Sequence, residues 1–205
     1  MPLTLTQFPI RVTRDHRVSF HDGFLDPRPH DLVHEAVDIA AAEGTDVCSS
    51  VAGIVVRSWL TGRGRVPGVG WSDRGGNVVL IFDHAGYAHY YAHMLRPPRL
   101  SPGQRVGAGE FLGQVSNSGS IARGSAKHLH YQVWTVGAGR EAELATGVFD
   151  RRFGRAVNPY SELARLAGGL GAHIGANGSV VFTTAAEDEA AAARRARRHS
   201  RTRHA

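Results

Sequence analysis

The segment Lys127-His128-Leu129-His130-Tyr131-Gln132-Val133-Trp134 indicates the fold class of this chain. A run this rich in aromatic and β-branched side chains is typical of a β-strand. Because side chains alternate between the two faces of a strand, His128 and His130 should share a face, about 6.5 to 7 Å apart at the backbone. That spacing suits one histidine that binds a metal and one that faces a reacting group. Two surface histidines on a half-exposed strand would give the same pattern.

The composition around this segment favours a mainly β protein. The 205 residues include 25 glycines, and the apolar segments are short. Both features are typical of chains with many strands and turns and few long helices. The length suits one well-buried domain with appendages.

The chain before Thr61 contains three predicted strand regions. Apolar residues in phase predict a first strand or pair of strands within Phe8–Phe20. Two short strands are expected in Ala36–Ala40 and Val51–Val56, and Glu43-Gly44-Thr45-Asp46 between them has the residues of a tight turn.

Two β-rich runs in the middle of the chain, Asn77–Asp83 and Ala88–Met94, predict a hairpin because only His84-Ala85-Gly86-Tyr87 separates them. In the second run, the period of two places His89, Tyr91 and His93 on one face.

The remaining segments predict loops and short elements. Thr61–Gly76 contains six glycines and is either a loop that overhangs a groove or a surface insertion, with equal weight. Ser161–Leu166 predicts a short helix that Ser161 could cap. Asn177-Gly178 indicates a hairpin. Residues 185–205 are either a frayed amphipathic helix or disordered, and disorder is the favoured interpretation.

The positive charge is concentrated at the C-terminus. The formal net charge is +6, and six arginines minus three carboxylates after Ala185 leave +3 in that segment. A nucleic-acid-binding domain should carry basic residues across a face of the fold and not only on a tail. We therefore expect no specific nucleic-acid partner, whereas anionic polymers remain candidates for the tail.

The cysteine count limits the metal chemistry. Cys48 is the single cysteine, so neither an intramolecular disulfide nor a cysteine-based zinc cluster can form. Any metal must use histidine and carboxylate ligands. Met1–Pro9 lacks the basic and apolar regions of a secretory signal, and no stretch reaches the ~18 to 20 apolar residues of a membrane span.

His34 and Asp38 form a His-x-x-x-Asp pattern at the start of a predicted strand. Alone this pattern is weak. If these two residues converge with one histidine of the His128/His130 pair, they form the two imidazoles and one carboxylate of a catalytic zinc site with an open fourth position. Peptide-bond hydrolysis then also needs a general base and a proton donor, for which His93 and the spare histidine are suited.

A series of short motifs occurs in one order along the chain: His34-Glu35-Ala36-Val37-Asp38-Ile39-Ala40, Gly44-Thr45, Val47, Gly53-Ile54-Val55, Gly76-Asn77-Val78-Val79, Tyr91-Ala92-His93, Gly107, Gly113, Ser118-Gly119 and His128-Leu129-His130-Tyr131. Together they closely resemble the lysostaphin-like zinc metallopeptidases of the duplicated-hybrid-motif fold. The resemblance runs from about Phe8 to Asn158-Pro159.

This resemblance implies a single catalytic domain with a largely antiparallel β-sheet that forms a groove. It implies that one Zn²⁺ is bound by His34, Asp38 and His130, and that His93 and His128 are the catalytic pair. The family's usual substrates are the peptide stems and cross-bridges of bacterial peptidoglycan.

Three departures from the family pattern concern residues around these ligands. Ala36 stands where the family often has Gly, and Gln132 stands where a Glu is common. Neither is a ligand. A family tyrosine that is often proposed to support the transition state is replaced in its region by Arg28 and His30.

The expected organisation is an N-terminal lead over residues 1–7, a zinc metallopeptidase domain over 8–166, an extra hairpin within 167–184 and the tail over 185–205. The expected function is zinc-dependent endopeptidase action on peptidoglycan by a monomer. The alternatives are a non-catalytic wall-binding or scaffold module and an enzyme for another protein substrate. Without a visible signal, a phage or phage-like lysis or tail component and a truncated gene start both explain action at the wall.

Overall fold

The structure is a computed structural model, and it describes residues 2–28, 32–59, 69–72, 74–96, 99–140, 148–150 and 154–202. Most of the expected loop over Thr61–Gly76 lies outside these residues, as does His30. The end of that loop is described and forms a strand over Val69–Ser72.

Seventeen strands and two helices occupy the described residues. The strands are β1 (Val18–Phe20), β2 (Pro27–Arg28), β3 (Leu32–Val33), β4 (Ala36–Ala40), β5 (Asp46–Cys48), β6 (Gly53–Val55), β7 (Arg57–Trp59), β8 (Val69–Ser72), β9 (Gly76–Asp83), β10 (Tyr87–Met94), β11 (Arg105–Val106), β12 (Phe111–Gln114), β13 (His128–Thr135), β14 (Val148–Asp150), β15 (Arg155–Val157), β16 (His173–Ile174) and β17 (Val180–Phe182). The helices are α1 (Tyr160–Gly169) and α2 (Ala185–Thr202).

One large sheet organises the molecule, with the strand order β11-β6-β9-β10-β13-β4-β1-β17-β16. In addition, β15 pairs with β13 and β8 pairs with β9. Among the described strands, the pairs are antiparallel except for β7 with β14. The predicted mainly β, antiparallel fold is therefore confirmed, and β9 and β10 form the expected hairpin.

The central strands are buried on both faces, because a hydrophobic cluster lies on each side of the sheet. Tyr91 and Tyr131 belong to the larger cluster, which we call the main core. Tyr90 and Trp134, one or three positions away, belong to the second cluster. Side-chain alternation assigns the even-numbered residues of β13, including His128 and His130, to the face of the second cluster.

Helix α1 packs Leu163 and Ala167 against the main core. Pro159 is its N-cap and makes no side-chain capping bond. The predicted cap at Ser161 was wrong, because Ser161 lies inside the first turn. Asn158 Oδ1 accepts from the backbone N–H of Tyr160, the first helical residue, over 2.9 Å, and proline's fixed φ also favours the start of a helix.

The N-terminal segment packs onto the domain. Leu5 is 1% exposed, and its backbone N–H donates to Glu162 of α1 over 2.9 Å. Near the other end, β16 and β17 pair antiparallel around Asn177 and Gly178, and β17 pairs with β1 at the edge of the sheet.

Helix α2 covers residues 185–202 of the tail, for which a helix was the less favoured interpretation, and residues 203–205 lie outside the described residues. Thr184 and Glu187 form reciprocal capping bonds, with 3.1 Å from Glu187 N to Thr184 Oγ1 and 2.9 Å from Thr184 N to Glu187 Oε2. Arg14 pairs with Asp188, and Arg17 pairs with Glu187. Alanine, glutamate and arginine are strong helix formers, so capping and ion pairing favour order over the disorder expected from charge alone. In the described part of the chain, neither helix has the length and apolarity needed to cross a membrane.

Candidate metal and catalytic site

Asp38 and His130 are direct cross-strand partners in the register of β4 and β13. Direct partners on one face of an antiparallel pair have adjacent side chains. As a result, His130 Nδ1 lies 2.9 Å from Asp38 Oδ1.

His34 completes the cluster from the segment that precedes β4. It is 7% exposed, and its Nε2 lies 3.2 Å from Asp38 Oδ1 and 3.3 Å from His130 Nδ1. Its other ring nitrogen, Nδ1, lies 3.0 Å from the carbonyl of Gly23. Because a carbonyl only accepts, His34 Nδ1 carries the proton and Nε2 offers its lone pair to the cluster.

The three residues form a donor set that could hold a metal ion. One nitrogen or oxygen atom from each of His34, Asp38 and His130 lies within 4.8 Å of the others. Two imidazoles and one carboxylate match the ligands that catalytic zinc sites use. Metal-binding histidines commonly donate their other ring N–H to a backbone carbonyl, as His34 Nδ1 does to Gly23 O.

The charge state of Asp38 suits a cation. Burial alone would raise its pKa, but hydrogen bonds and charge interactions with His130 and His34 outweigh burial, so the pKa of Asp38 lies well below its usual range. Arg28 adds a further positive group, with Nη2 3.5 Å from Asp38 Oδ2. The carboxylate therefore remains ionised near neutral pH.

His93 reaches the same site because β10 is irregular at this residue. Its φ is +65°, and the pairing with β9 shifts register between Tyr91 and Met94. The His93 ring centroid lies 4.9 Å from that of His128 and 5.6 Å from that of His130.

The predicted common face of His89, Tyr91 and His93 was therefore wrong. His89 Nδ1 lies 2.8 Å from the Tyr131 hydroxyl on the main-core side, whereas His93 joins the face of His130. A bulge adds a residue to one strand and reverses the alternation after it.

Backbone carbonyls also orient the rings of His93 and His128. His93 Nδ1 lies 2.7 Å from Ser118 O, and His128 Nδ1 lies 2.8 Å from Ala126 O. Both Nδ1 atoms are therefore donors, and Nε2 is the atom of each ring that can accept a proton. His128 Nε2 lies 3.9 Å from Asp38 Oδ1, which directs it to the three-residue cluster.

The electrostatic surroundings keep His93 neutral. Burial, followed by charge repulsion from His130, lowers the pKa of His93 to about 4. A neutral imidazole with a free lone pair can act as a proton acceptor at pH 7.

The five residues predicted for the site lie together. Sequence reasoning missed the residues that support them. Tyr90 packs its ring edge-on against His130 at 6.1 Å. The carbonyls of Gly23, Ser118 and Ala126 accept hydrogen bonds from the Nδ1–H groups of the other three histidines. Of these, only Ser118 lay in a motif that the sequence singled out, because backbone acceptors carry no side-chain signature.

Comparison with known proteins identifies the family of this chain. Residues 32–143, more than half of the chain, match the model of peptidase family M23. The chain belongs to peptidase family M23. The matched segment includes all five site residues.

A curated relative and two solved structures are similar to this M23 chain. The L-Ala–D-Glu endopeptidase of Bacillus subtilis is 32% identical over 133 residues, which cover 62% of the chain and 36% of that protein. A LytM-type structure from Ruminococcus gnavus, assigned as a glycyl-glycine endopeptidase, has a TM-score of 0.56 and 26% identity over 78% of this chain and 59% of its own. The chain thus spans about a third of the length of the curated relative.

Lysostaphin from Staphylococcus simulans shares the fold. Its TM-score is 0.53 at 21% identity, over 85% of this chain and 65% of lysostaphin. The lysostaphin-like resemblance predicted from the motifs is confirmed by the family match and by these neighbours.

Proposed function

We propose that this chain is a zinc-dependent endopeptidase that cleaves peptides of bacterial peptidoglycan at the cell wall. The observation that supports it best is the convergence of His34, Asp38 and His130 with the neighbouring pair His93 and His128. The L-Ala–D-Glu endopeptidase relative makes the stem peptide the first bond to test, and the LytM-type neighbour makes a glycine bridge the second.

In this proposal, His34 Nε2, Asp38 and His130 Nδ1 hold Zn²⁺. Bound zinc supplies Lewis-acid chemistry, polarising a peptide carbonyl and making water nucleophilic near neutral pH. The carbonyl of Gly23 holds the proton of His34 at Nδ1, so that Nε2 stays available as a ligand atom.

His93 and His128 carry the protons of the reaction. Each ring has Nδ1–H held by a carbonyl, so proton exchange occurs at Nε2. Nε2 of one histidine accepts the proton of the attacking water. The other histidine, as an imidazolium, donates its Nε2 proton to the leaving amine. The guanidinium of Arg28, beside Asp38, stands in the region where the family's supporting tyrosine is expected, and we assign it the support of developing negative charge.

The Arg-rich half of α2 is proposed to hold the enzyme to anionic polymers of the wall. The helix is anchored through its acidic first turn by Arg14 and Arg17. The arginines lie beyond this anchor, at positions 194, 195, 197, 198 and 201. Clustered positive charge attracts a polyanion in a salt-dependent way.

Incubation with purified peptidoglycan of known cross-link chemistry tests the proposal. The zinc-loaded chain should release fragments whose masses identify one cleaved bond type. Removal of the metal with a chelator should stop release, and added Zn²⁺ should restore it. Binding to peptidoglycan without released fragments would support a non-catalytic wall-binding module instead.

A further inference from the structure

We propose that Lys127 positions the catalytic histidine pair, because it ties down the loop over residues 116–127 together with Glu43 and Asn117. The inference rests on the proposed function in that His93 and His128 are its catalytic pair. Lys127 is the only lysine in the sequence, in which the other 23 of the 24 Lys and Arg residues are arginines.

This loop supplies the backbone carbonyls that accept hydrogen bonds from both histidines. Ser118 O accepts from His93 Nδ1 at 2.7 Å, and Ala126 O accepts from His128 Nδ1 at 2.8 Å. Because the two carbonyls belong to one loop, a displacement of that loop would alter the tautomer and the orientation of both rings.

The first end of the loop is held by the Ser118 side chain and by a close approach to Gly76. Ser118 Oγ donates to Met94 O over 2.7 Å and accepts from Asn77 N over 3.0 Å. A Cβ at Gly76 would collide with Ser118 and lie 2.6 Å from Gly119 N, so only glycine allows this approach.

The second end is held by side chains. Lys127 Nζ donates to Glu43 Oε1 over 2.9 Å and to Asn117 Oδ1 over 2.8 Å. Ser116 Oγ donates to the same Glu43 Oε1 over 2.6 Å, and Asn117 Nδ2 donates to Ser125 O over 3.1 Å. These bonds connect both ends of the loop to Glu43, in the turn that follows β4.

A lysine ammonium group suits this position, where one donor group bonds to both Glu43 and Asn117. Its three donors surround one compact point, so one nitrogen can reach a carboxylate and an amide oxygen from different segments, whereas a guanidinium spreads its donors over a plane. Hydrogen bonds from Ser116 and Lys127 lower the pKa of Glu43, which keeps the carboxylate ionised as an acceptor. Lys127 also lies directly between Ala126, whose carbonyl is the acceptor, and His128.

Lys127→Met in the zinc-loaded 205-residue chain tests this role. We expect kcat on peptidoglycan fragments to fall about 10- to 100-fold, since small misplacements of reacting groups cost that much, while KM and zinc content stay unchanged. Lys127→Arg keeps the charge and should recover part of kcat. Arg165→Met is the matched control, because it removes an ion pair of similar length, 2.8 Å to Glu162, on α1.

A second readout does not depend on activity. Nitrogen-15 NMR of the histidine rings should show His128 protonated at Nδ1 in the wild type and a mixture of tautomers in Lys127→Met. If the wild type cleaves nothing, the proposed function fails, and the NMR comparison still tests the positioning role. An unchanged His128 tautomer in Lys127→Met, or a kcat within twofold of wild type, would overturn the inference.

Acetylation gives a test in which Lys127 is altered only after the wild-type protein has folded. Acetic anhydride or an acetyl ester modifies Lys127 and the terminal amine of the folded wild type. The modified protein should lose kcat as Lys127→Met does, and Lys127→Arg, which has no lysine, should be unaffected by the same treatment. Equal loss in both proteins would refute the role of Lys127.

Discussion

His130 Nδ1 lies 2.9 Å from Asp38 Oδ1 because the two residues are direct cross-strand partners of β13 and β4. Two ligands of the proposed metal site are thus positioned by the sheet itself. Sites built on strands are more precise than sites built on loops, because the register and the packing of the sheet limit movement.

His130→Ala should abolish zinc binding and peptidoglycan cleavage together, because it removes one of three donor atoms. The measurements are zinc content by mass spectrometry of metals and fragment release from the wall. Cleavage by a zinc-free variant would show that the ligand assignment is wrong.

His93→Ala and His128→Ala should retain zinc but lower turnover by about 10² to 10⁴, the usual contribution of a general acid or base. Zinc content and kcat should be measured on the same preparations. Loss of zinc in either variant would contradict the division between ligands and proton carriers.

Gly76→Ala should destabilise the protein and lower turnover with zinc retained. Its Cβ would collide with Ser118, at the end of the loop that orients His93. Overpacking of this kind costs about 1–3 kcal/mol beyond the strain of a positive φ. Gly124→Ala is the control, because Gly124 also has a positive φ, +82°, but nothing lies within 4 Å of its added Cβ. Equal unfolding free energies for the two variants would argue against the close contact.

Asp83 should contribute to stability in a pH-dependent way. Burial alone would raise its pKa, but the hydrogen bond with His89, 3.1 Å long, and their charge interaction outweigh burial, so the pKa is lowered. A carboxylate with a lowered folded pKa stabilises fully above its unfolded pKa of about 3.9, and this contribution is lost as the pH falls through the folded value.

We therefore expect Asp83→Asn to lower the free energy of unfolding by about 1–3 kcal/mol at pH 7. The difference from wild type should shrink as the pH falls below about 4, because the unfolded chain binds the proton first and the folded carboxylate binds it only at its lower pKa. Urea unfolding at several pH values measures this. Asp15→Asn, at an exposed position before β1, is the control and should show no such convergence.

Replacing the five arginines of α2 by glutamine should weaken binding to purified walls and reduce the salt dependence of that binding. The capped and ion-paired first turn is retained in this variant, so α2 stays anchored to the body. Co-sedimentation with walls across a salt series is the measurement. Unchanged affinity and salt dependence would exclude the helix as an anchor.

The strand character of His128-Leu129-His130 and the metal-binding residue types were determined by the sequence alone. Short runs of β-branched and aromatic residues were sufficient to predict β4, β9, β10 and β13, because strand propensity depends on residues near in sequence. The order of the motifs was also sufficient to indicate the family, since several motifs in one order are more specific than any one of them.

The ion pairing of α2 with Arg14 and Arg17, and the position of His93, depended on contacts that are distant in sequence. Alternation placed His93 with His89 and Tyr91, but the bulge turns it toward His128. Nothing local to β10 encodes that turn. It is held by Gly75 O, which accepts from His93 N at 2.7 Å, and by Ser118 O, 25 residues along the chain. The sequence by itself determined which residues could perform the chemistry, and only the tertiary structure decided that His93 faces the others, because a positive φ persists only where surrounding contacts stabilise it.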